Sequence, residues 1–514
     1  MEEVAIAFVG FMGAGKSEAA RAAAAGLGEA AYDADDLIED ELGEPIAAFF
    51  EREGEAAFRE REERVVLELL DRGGVMSLGG GAVESSRVRK ALRRHVAVWC
   101  RADEAVAWER TRDTGRPLAV DREVFGRRYR ERLPLYEEVG RAVLPEGGPE
   151  VGRASAAWLA ALRDLRGVRL VVARSSSGEY PAVVGAGATD LLGAPAVAER
   201  LAVSRWFAIA DSEALRRKRE LLPGCEAVIE VDAAEERKTL AEAERVLREL
   251  AAAGARRDDG VVAFGGGMVG DLAGFCAASY QRGIPVVQVP TTLVAQVDSA
   301  YGGKTGVDLP EAKNYVGAYH MPAAVLADPG ALATLPGAEL AAGFVEVLKT
   351  ALIAGGRLWE RVRALETLDA AGLDEVIFAC ARTKIDVVAA DERDRGGRAV
   401  LNLGHTVGHA IEAASRYSRY RHGEAVGLGL LATLRLSGSD ELRDEVRAIL
   451  DRHGLPTTLD SGIGVDEVLA AAELDKKRTA EGVGFVLLER PGELRTGVSV
   501  EQERVRAAVE ELGG

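Results

Sequence analysis

The chain has 514 residues, which is too long for one ordinary hydrophobic core, so we expect several domains of about 100 to 200 residues each. Its 65 basic and 83 acidic residues give a net charge of −18, which disfavours nucleic acid and anionic membrane surfaces as partners. The four cysteines are scattered without CxxC spacing, and no stretch is apolar enough to span a bilayer. These features predict a globular protein of the reducing cytoplasm that acts on small molecules.

Apolar runs alternate with amphipathic helical stretches in the first part of the chain. Residues 4–9 form a β-like run that leads through a glycine loop into an alanine-rich helical stretch, and similar runs follow at 75–78 and 96–99. This alternation predicts a parallel sheet covered by helices. A turn rich in Pro and Gly at 144–150 and one more amphipathic helix close the domain, which we place at 1–165.

The rest of the chain, residues 168–514, divides into two parts. Between 168 and 325 several β-like runs alternate with helical segments, which predicts a second parallel α/β part with room for a nucleotide. From 326 to 514 the apolar residues mostly recur at helical spacing, so this part is predicted to be largely α-helical. We expect the chemistry of this domain in the cleft between its two parts.

A glycine loop gives the first chemical signal. The stretch from Gly10 to Ser17 fits the pattern GxxxxGK[ST] and lies between a predicted strand and a predicted helix. In that setting, backbone N–H groups and the helix N-terminus cradle phosphate, a Lys neutralises phosphate oxygens and a Ser holds Mg²⁺. ATP binding is therefore predicted at Gly13, Ala14, Gly15, Lys16 and Ser17.

Further motifs point to the phosphate acceptor. They follow the loop in the order found in shikimate kinases, which residues 1–165 resemble: Asp33-Ala-Asp35, Gly54 to Phe58 followed by Arg59, Gly79-Gly80-Gly81, Gly115-Arg116-Pro-Leu and Arg132-Leu-Pro-Leu-Tyr136. The resemblance implies an α/β P-loop kinase that phosphorylates shikimate to shikimate 3-phosphate. Gluconate-type kinases, nucleotide kinases and a module that binds ATP without turnover are the alternatives.

The resemblance also implies roles for individual residues. Guanidinium forks bind carboxylates bidentately, and a carboxylate can orient the attacking hydroxyl. Arg59 and Arg132 are expected to bind the substrate carboxylate, and Gly80 and Gly81 to contact shikimate through their backbone. Asp35 is expected to bind the reacting hydroxyl, and Asp33 to hold Mg²⁺ together with Ser17. Arg116 is expected to lie on a lid over ATP. Lys16, Asp35 and Arg116 are expected to be catalytic.

A second glycine-rich stretch, Gly265 to Asp271, follows the apolar strand VVAF. Glycines there would let a pyrophosphate approach the backbone at the start of a helix. The pattern differs from the ordinary GxGxxG, and a structural turn fits it equally well.

Histidine placement is the stronger signal. Three of the six histidines, His405, His409 and His422, fall close together in the sequence. His405 and His409 are four residues apart, but the motif lacks the Glu of HExxH, so a metallopeptidase would have no general base. Glu346 could complete a site of one carboxylate and two imidazoles with open positions, as catalytic zinc requires.

Residues 168–514 resemble 3-dehydroquinate synthases through motifs in the same order: Pro290-Thr-Thr-Leu, Asp298 to Thr305, Lys313-Asn314, Glu346 to Lys349, Arg398 to His409 and His422-Gly-Glu424. The resemblance implies an α/β NAD-binding part (168–325) followed by an α-helical part that holds metal and substrate (326–514). It assigns Zn²⁺ or Co²⁺ to Glu346, His405 and His422. The substrate 3-deoxy-D-arabino-heptulosonate 7-phosphate (DAHP) is assigned to Arg282, Asp298, Lys304, Asn314, Lys349, Lys384, Arg398, Asn402, His409, Lys476 and Lys477.

Of the substrate residues, Lys304, Lys349, Lys384, Arg398, Asn402 and His409 are expected to be catalytic as well. NAD⁺ is expected at Asp211, Glu235, Lys238, Gly267, Gly270, Asp271, Thr291, Thr292, Lys304, Lys313 and Thr334. The implied reaction converts DAHP to 3-dehydroquinate and phosphate, with hydride moved to NAD⁺ and returned in each turnover. The alternative is a metal-dependent polyol dehydrogenase, which would leave the many Lys and Arg residues unexplained. The resemblance also implies a homodimer formed through the C-terminal domain.

Overall fold

The computed structural model describes residues 3–113, 121–478 and 484–513, and the chain forms two compact units, Met1–Ala202 and Val203–Gly514. Among the described residues, no helix combines the length and the apolar character needed to cross a membrane.

The first unit is built around a sheet whose strands follow the order β2-β3-β1-β4-β5-β6-β7. Every adjacent pair is parallel except β6 and β7, which are antiparallel. Its strands are β1 (Ile6–Val9), β2 (Ala31–Asp33), β3 (Val75–Ser77), β4 (Val96–Cys100), β5 (Ala142–Leu144), β6 (Arg169–Ser175) and β7 (Gly178–Val184). Its helices are α1 (Lys16–Leu27), α2 (Ala34–Leu42), α3 (Ile46–Arg72), α4 (Ser86–Leu92), α5 (Glu104–Thr111), α6 (Arg122–Val139), α7 (Gly148–Ala161) and α8 (Pro195–Leu201).

The central strands of this sheet are buried on both faces. All residues of β1 and β4 are buried, which explains why they read as continuous apolar runs rather than as alternating patterns. The predicted parallel α/β architecture is confirmed. Helix α3 is interrupted at Gly54, whose φ of 85° is open to glycine but costly for other residues.

Strands β6 and β7 lie beyond the boundary predicted at residue 165, yet they belong to the first compact unit. Ala142 and Val143 on β5 pair with Leu170 and Val171 on β6. Apolar patterning identifies such strands but does not specify which neighbour they pair with. The domain limits 1–165 and 168–514 therefore stay predictions about sequence modules, whereas the compact units divide after Ala202.

The second unit begins with a parallel sheet in the order β14-β11-β10-β8-β9. Two antiparallel hairpins, β12–β13 and β15–β16, stand apart from it. The strands are β8 (Trp206–Asp211), β9 (Ala227–Val231), β10 (Gly260–Gly265), β11 (Val286–Pro290), β12 (Lys304–Leu309), β13 (Ala312–Tyr319), β14 (Ala324–Ala327), β15 (Phe485–Arg490) and β16 (Glu493–Val498).

The helices of the second unit are α9 (Ser212–Lys218), α10 (Leu240–Ala252), α11 (Gly267–Ser279), α12 (Gly337–Ala354), α13 (Gly356–Arg363), α14 (Ala370–Ala390), α15 (His405–Ala414), α16 (His422–Ser437), α17 (Asp440–Arg452), α18 (Val465–Arg478) and α19 (Gln502–Glu510). The prediction of a helical second part is confirmed. Hairpin β15–β16 was not predicted, because the buried run Val486 to Leu488 is too short for its period to separate strand from helix.

Candidate active sites

The glycine loop of the first unit connects β1 to α1. Gly13 and Gly15 have φ values of 80° and 76°, which glycine adopts without strain. A Cβ on Gly10 would lie 2.5 Å from the carbonyl oxygen of Cys100, so the loop also needs glycine for space. Lys16 is buried, and its Nζ donates a hydrogen bond of 3.1 Å to the Phe11 carbonyl oxygen. This fold places the first N–H groups of α1 and one ammonium around a single anion cradle.

The residues predicted to hold Mg²⁺ lie at the carboxyl edge of the same sheet. Asp33 on β2 is in register with Ser77 on β3. Ser77 Oγ lies 3.1 Å from Ser17 Oγ, and Asp33 Oδ1 accepts a hydrogen bond of 3.1 Å from the backbone N–H of Asp35. Carboxylate and hydroxyl oxygens suit Mg²⁺, so the residues present fit the ion.

A cavity of about 730 Å³ opens beside the loop. It is lined by the loop and helix residues Gly13, Gly15, Lys16, Ser17 and Glu18, together with Arg110, the segment 146–150 and Arg174. Of these, sequence reasoning identified only the loop residues.

The arginines predicted to bind the acceptor carboxylate are held by acidic side chains. Arg59 Nη1 donates to Glu62 Oε2 at 2.5 Å, and Arg132 Nε donates to Glu84 Oε1 at 2.9 Å. Arg59 Nε lies 3.5 Å from Glu84 Oε2, so Glu84 links the two arginines. Arg132 Nη2 is buried and, within the described part of the chain, has no hydrogen-bond partner. Buried donors without an acceptor are uncommon in folded proteins, and a bound carboxylate can supply the acceptor.

Gly81, one of the two glycines predicted to contact shikimate, and its neighbour Gly79 pack against these groups. A Cβ on Gly81 would lie 2.1 Å from Arg59 Nη1, and a Cβ on Gly79 would lie 2.1 Å from Glu62 Oε1 and 3.1 Å from Asp35 Oδ1. The Gly80 carbonyl oxygen accepts a hydrogen bond of 2.5 Å from the Tyr136 hydroxyl. The absence of side chains at these glycines leaves space for the charged groups.

Glu62, which the sequence analysis did not single out, is the most buried carboxyl group of this site, with 2% of its surface exposed. Burial raises its pKa, and the neighbouring Arg59 only partly opposes that shift. Its sole sequence signal was the spacing of three residues from Arg59 on a predicted helix. The predicted lid residue Arg116 lies outside the described residues.

In the second unit, the glycine-rich stretch connects β10 to α11. A Cβ on Gly270 would lie 2.9 Å from Gln288 Oε1, and one on Gly267 would lie 2.9 Å from Ser299 Oγ. Thr291 donates its backbone N–H to the Gly265 carbonyl oxygen at 2.9 Å. A Cβ on Gly266 would lie 3.0 Å from Thr292 Cγ2, so the predicted Thr pair borders this loop.

Lys238, itself predicted to bind NAD⁺, connects two other residues predicted to bind NAD⁺ or substrate. It is buried, and its Nζ donates to Asp271 Oδ2 at 2.6 Å and to Asn314 Oδ1 at 2.5 Å. The neighbouring pair Lys313 and Glu235 lies 3.5 Å apart. The structure therefore brings these five predicted residues together.

Asp211 and Thr334 both contact α9. Asp211 ends β8 and caps α9 by accepting from the Glu213 N–H at 2.9 Å, and burial raises the pKa of its carboxyl group. The Thr334 carbonyl oxygen accepts from Arg217 Nη1 at 2.7 Å.

The predicted metal ligands converge although they come from three helices. His405 Nε2 and His422 Nε2 lie 3.5 Å and 3.4 Å from Glu346 Oε1, and that oxygen has no hydrogen-bond partner among the described residues. Two ligand atoms about 2.0 to 2.2 Å from one tetrahedral metal are about 3.3 to 3.6 Å apart. The spacing is too long for good hydrogen bonds but fits ligands that share one metal. His409 also belongs to the cluster, since the ligand nitrogens of the three histidines lie within 4.8 Å of one another.

The outer nitrogens of two imidazoles have protein partners. His422 Nδ1 lies 3.3 Å from Glu412 Oε2, and His405 Nδ1 lies 3.2 Å from the Leu403 carbonyl oxygen. Carboxylates and carbonyls in such positions fix the tautomer and ring orientation of metal-binding histidines. Sequence reasoning missed Glu412, although it lies three residues after His409 on the same helix.

Two buried ion pairs adjoin the metal cluster. Lys349 Nζ lies 2.6 Å from Glu346 Oε2, and Lys384 Nζ lies 2.5 Å from Asp298 Oδ1. Burial acts to lower the pKa of Lys349, but Glu346 and Asp298 outweigh it and hold the pKa above its ordinary value. Burial lowers the pKa of Lys384, and Asp298 only partly compensates.

The other residues predicted to bind substrate are less closely grouped. Arg398 is buried and donates to the Glu392 carbonyl oxygen at 3.1 Å, while Lys304 pairs with Asp394. A Cβ on Gly302 would lie 2.6 Å from Arg398 Nη2.

Asn402 and Arg282, also predicted to bind substrate, remain apart from these contacts. Asn402 is exposed at the end of a short turn, and Arg282 has a φ of 69° just after α11. The side chains of Lys476 and Lys477 lie outside the described residues.

Comparison with known proteins identifies both parts of the chain. Residues 228–342 match the 3-dehydroquinate synthase N-terminal family and residues 343–478 match the 3-dehydroquinate synthase C-terminal family. A 3-dehydroquinate synthase of Symbiobacterium thermophilum is 41% identical over 350 residues, which cover 65% of this chain and 98% of that protein. This chain belongs to the 3-dehydroquinate synthase family. A relative from Gloeobacter violaceus, also a 3-dehydroquinate synthase, is 43% identical over 297 residues, 56% of this chain and 82% of that protein.

Residues 12–160 match the shikimate kinase family. The chain is therefore a bifunctional enzyme of the shikimate pathway, with a shikimate kinase and a 3-dehydroquinate synthase, and both predicted activities are confirmed. For the second part of the chain, the matches favour the synthase over the polyol dehydrogenase. For the first part, they favour shikimate kinase over other small-molecule kinases.

Among solved structures, 2-epi-5-epi-valiolone synthase from Streptomyces hygroscopicus subsp. jinggangensis 5008, with NAD⁺ and Zn²⁺ bound, is 27% identical with a TM-score of 0.57. The alignment covers 65% of this chain and 96% of that one. The likeness extends over the synthase part and agrees with the fold predicted for it.

Proposed function

We propose that the first unit binds ATP and Mg²⁺ at the glycine loop and shikimate at the Arg59–Arg132 pair. The observation that carries this proposal is the buried Arg132 Nη2, which has no hydrogen-bond partner among the described residues. A substrate carboxylate supplies the missing acceptor, and the fork geometry of the two guanidinium groups suits it.

Lys16 and the N–H groups of α1 neutralise the phosphates, while Ser17 and Asp33 hold Mg²⁺. The ion, when bound, would stabilise the negative charge that develops during transfer. Asp35, whose Oδ1 would lie 3.1 Å from a Cβ on Gly79, orients the attacking hydroxyl and receives its proton. Glu62 and Glu84 hold the arginines in place before shikimate arrives.

We propose that Glu346, His405 and His422 hold Zn²⁺ or Co²⁺ in the second unit. The position of Glu346 Oε1 relative to the two Nε2 atoms carries this assignment. The ion supplies a Lewis acid for the substrate hydroxyl, and NAD⁺ supplies a reversible hydride acceptor. Glu412 keeps His422 oriented, and His409 contacts the substrate rather than serving as a metal ligand.

The loop between β10 and α11 is proposed to bind the NAD⁺ pyrophosphate, because it leads into the N-terminus of α11 and its residues Gly266, Gly267 and Gly270 are only partly buried. The paired side chains of Lys238 and Asp271 contact the cofactor. Thr291 and Thr292, which follow the end of β11, border the same loop. The relative that contains NAD⁺ and Zn²⁺ supports this cofactor pair.

The cations of the second unit suit a substrate that carries both a carboxylate and a phosphate. Lys349 and Lys384 are already paired with Glu346 and Asp298, so their ammonium groups are held at fixed positions in the buried site. Such pre-placed charges stabilise developing negative charge without reorganisation. Arg398 adds a third buried cation.

The decisive experiment measures phosphate release from DAHP by the purified chain, with and without EDTA, and follows 3-dehydroquinate and NADH in the same samples. We expect metal-dependent 3-dehydroquinate formation without net NADH. Net NADH from a polyol, with no phosphate released from DAHP, would overturn the proposal. ATP-dependent phosphorylation of shikimate is measured in parallel.

We further propose a homodimer formed through the C-terminal part and a cytoplasmic location. The dimer proposal rests on the family resemblance, and the location is supported by the four cysteines, all of which are free thiols. Light scattering of the chain and of residues 203–514, and cell fractionation, test the two statements.

A further inference from the structure

The wall of the ATP cavity includes a residue that lies outside the match to the kinase family. With the phosphates of ATP assigned to Gly13 to Ser17, the lining that remains for the nucleoside includes Arg110, the segment 146–150 and Arg174. Arg174 lies on β6, beyond residue 160, where the match to the kinase family ends. A strand outside the kinase module therefore contributes one wall of the cavity.

The guanidinium of Arg174 is fixed by three contacts. Nη1 donates to the Glu146 carbonyl oxygen at 3.0 Å, Nη2 donates to Glu150 Oε2 at 2.9 Å, and Nε lies 3.2 Å from Glu179 Oε1. A Cβ on Gly147 would lie 2.1 Å from Nη1, so the guanidinium fills the space next to that glycine. These contacts hold the segment 146–150 against β6.

The same segment is tied to the phosphate-binding loop. Glu146 also forms an ion pair with Arg110, whose Nη1 donates to the Gly13 carbonyl oxygen at 3.2 Å. Contacts therefore run from Gly13 through Arg110 and Glu146 to Arg174. Movement of Arg174 would loosen the segment 146–150 without touching Lys16 or Ser17.

We infer that Arg174 is a positioning and binding residue for the nucleoside of ATP, supplied to the kinase by a strand that its own module lacks. A guanidinium has five N–H groups, and the three contacts use three, so two remain for the ribose or the base. The inference rests on the proposed ATP site. It implies that the kinase needs β6 for full affinity.

The test compares full-length wild type, Arg174→Ala and Arg174→Lys. For Arg174→Ala we expect the KM for ATP to rise about tenfold, since a hydrogen-bonded charged group is lost, while kcat and the KM for shikimate stay near wild type. Inorganic pyrophosphate, which has no nucleoside, should inhibit wild type and variant equally. Arg174→Lys keeps the positive charge but lacks the forked guanidinium, so its KM for ATP should lie between those of wild type and Arg174→Ala.

Arg163→Ala is the matched control, because Arg163 in the same unit pairs with Glu29 outside the cavity. The synthase rate, measured in each sample, reports whether the chain is folded. An unchanged KM for ATP in both Arg174 variants would overturn the inference. So would a loss of pyrophosphate inhibition in the variants as large as their loss of affinity for ATP. A wild type that phosphorylates no shikimate would instead overturn the proposed kinase function.

Discussion

The two active sites of this chain use different groups to supply the positive charge that binds anions. In the kinase, a glycine loop and a helix N-terminus provide most of the positive potential, and one buried ammonium, Lys16, completes it. In the synthase, long side chains provide the charge, and each buried ammonium is already paired with a carboxylate, as in Lys349 with Glu346. A site made of backbone depends on local sequence, whereas a site made of paired side chains depends on the packing of separate helices.

The largest effects should come from removing the central group of one site while the other serves as control. We expect His405→Ala to lower 3-dehydroquinate formation at least about 10³-fold, because several kcal/mol of transition-state stabilisation are lost with the metal. Bound metal should fall in parallel, and the kinase rate should be unchanged. Lys16→Ala should show the opposite selectivity, losing shikimate phosphorylation alone. Loss of both activities in either variant would contradict the independence of the two sites.

A smaller effect is expected from Glu412→Gln. The carboxylate orients His422 through Nδ1, and such partners typically contribute about 10- to 100-fold to metal affinity. Competition with a chelator should show weaker zinc binding of that size. Glu424→Gln, an acidic residue two positions after His422 that pairs with Arg421, is the control and should bind zinc normally. Equal affinities for wild type and Glu412→Gln would show that Glu412 has no such role.

The paired cations of the synthase can be tested through stability. Asp298→Ala leaves Lys384 buried without its carboxylate, so we expect the free energy of unfolding to fall by about 2 to 3 kcal/mol, measured by circular dichroism in urea. Glu244→Ala breaks an exposed pair with Arg248 and should cost under about 0.5 kcal/mol. The double variant Asp298→Ala/Lys384→Met should recover part of the lost free energy of unfolding, because the unpaired ammonium is removed. A further decrease would show that an uncompensated charge on Lys384 does not cause the instability of Asp298→Ala.

The smallest expected effect concerns pH and the kinase. The bidentate pair with Arg128 lowers the pKa of Glu55 from 4.5 to about 2. A carboxyl group with a lowered folded-state pKa contributes stability above pH 4.5 and loses it as the pH falls towards 2. Because the pair is partly exposed, the contribution should be under about 1 kcal/mol. The urea concentration that halves kinase activity should differ between wild type and Glu55→Gln at pH 7, and the difference should shrink at pH 4.

Local sequence determined the parts of this protein whose structure is itself local. The buried runs of β1 and β4, the glycine loop ending in Lys16-Ser17, and the helix that carries His405 and His409 were all predictable, because each depends on periodicity or on residues a few positions apart. The assignment of Glu346 to the metal came from the family resemblance, since its distance along the chain from the histidines gives no physical hint of contact.

Only the tertiary structure decided which distant groups meet. Glu84 links two arginines from different helices, Glu412 reaches His422 from the preceding helix, and β6 pairs with β5 so that Arg174 lines the ATP cavity. Charged residues on a helix read from sequence as solvated surface, because exposure is the usual state of such side chains. Their burial and pairing depend on which elements pack together, and the pattern of a single segment carries no information about its neighbour.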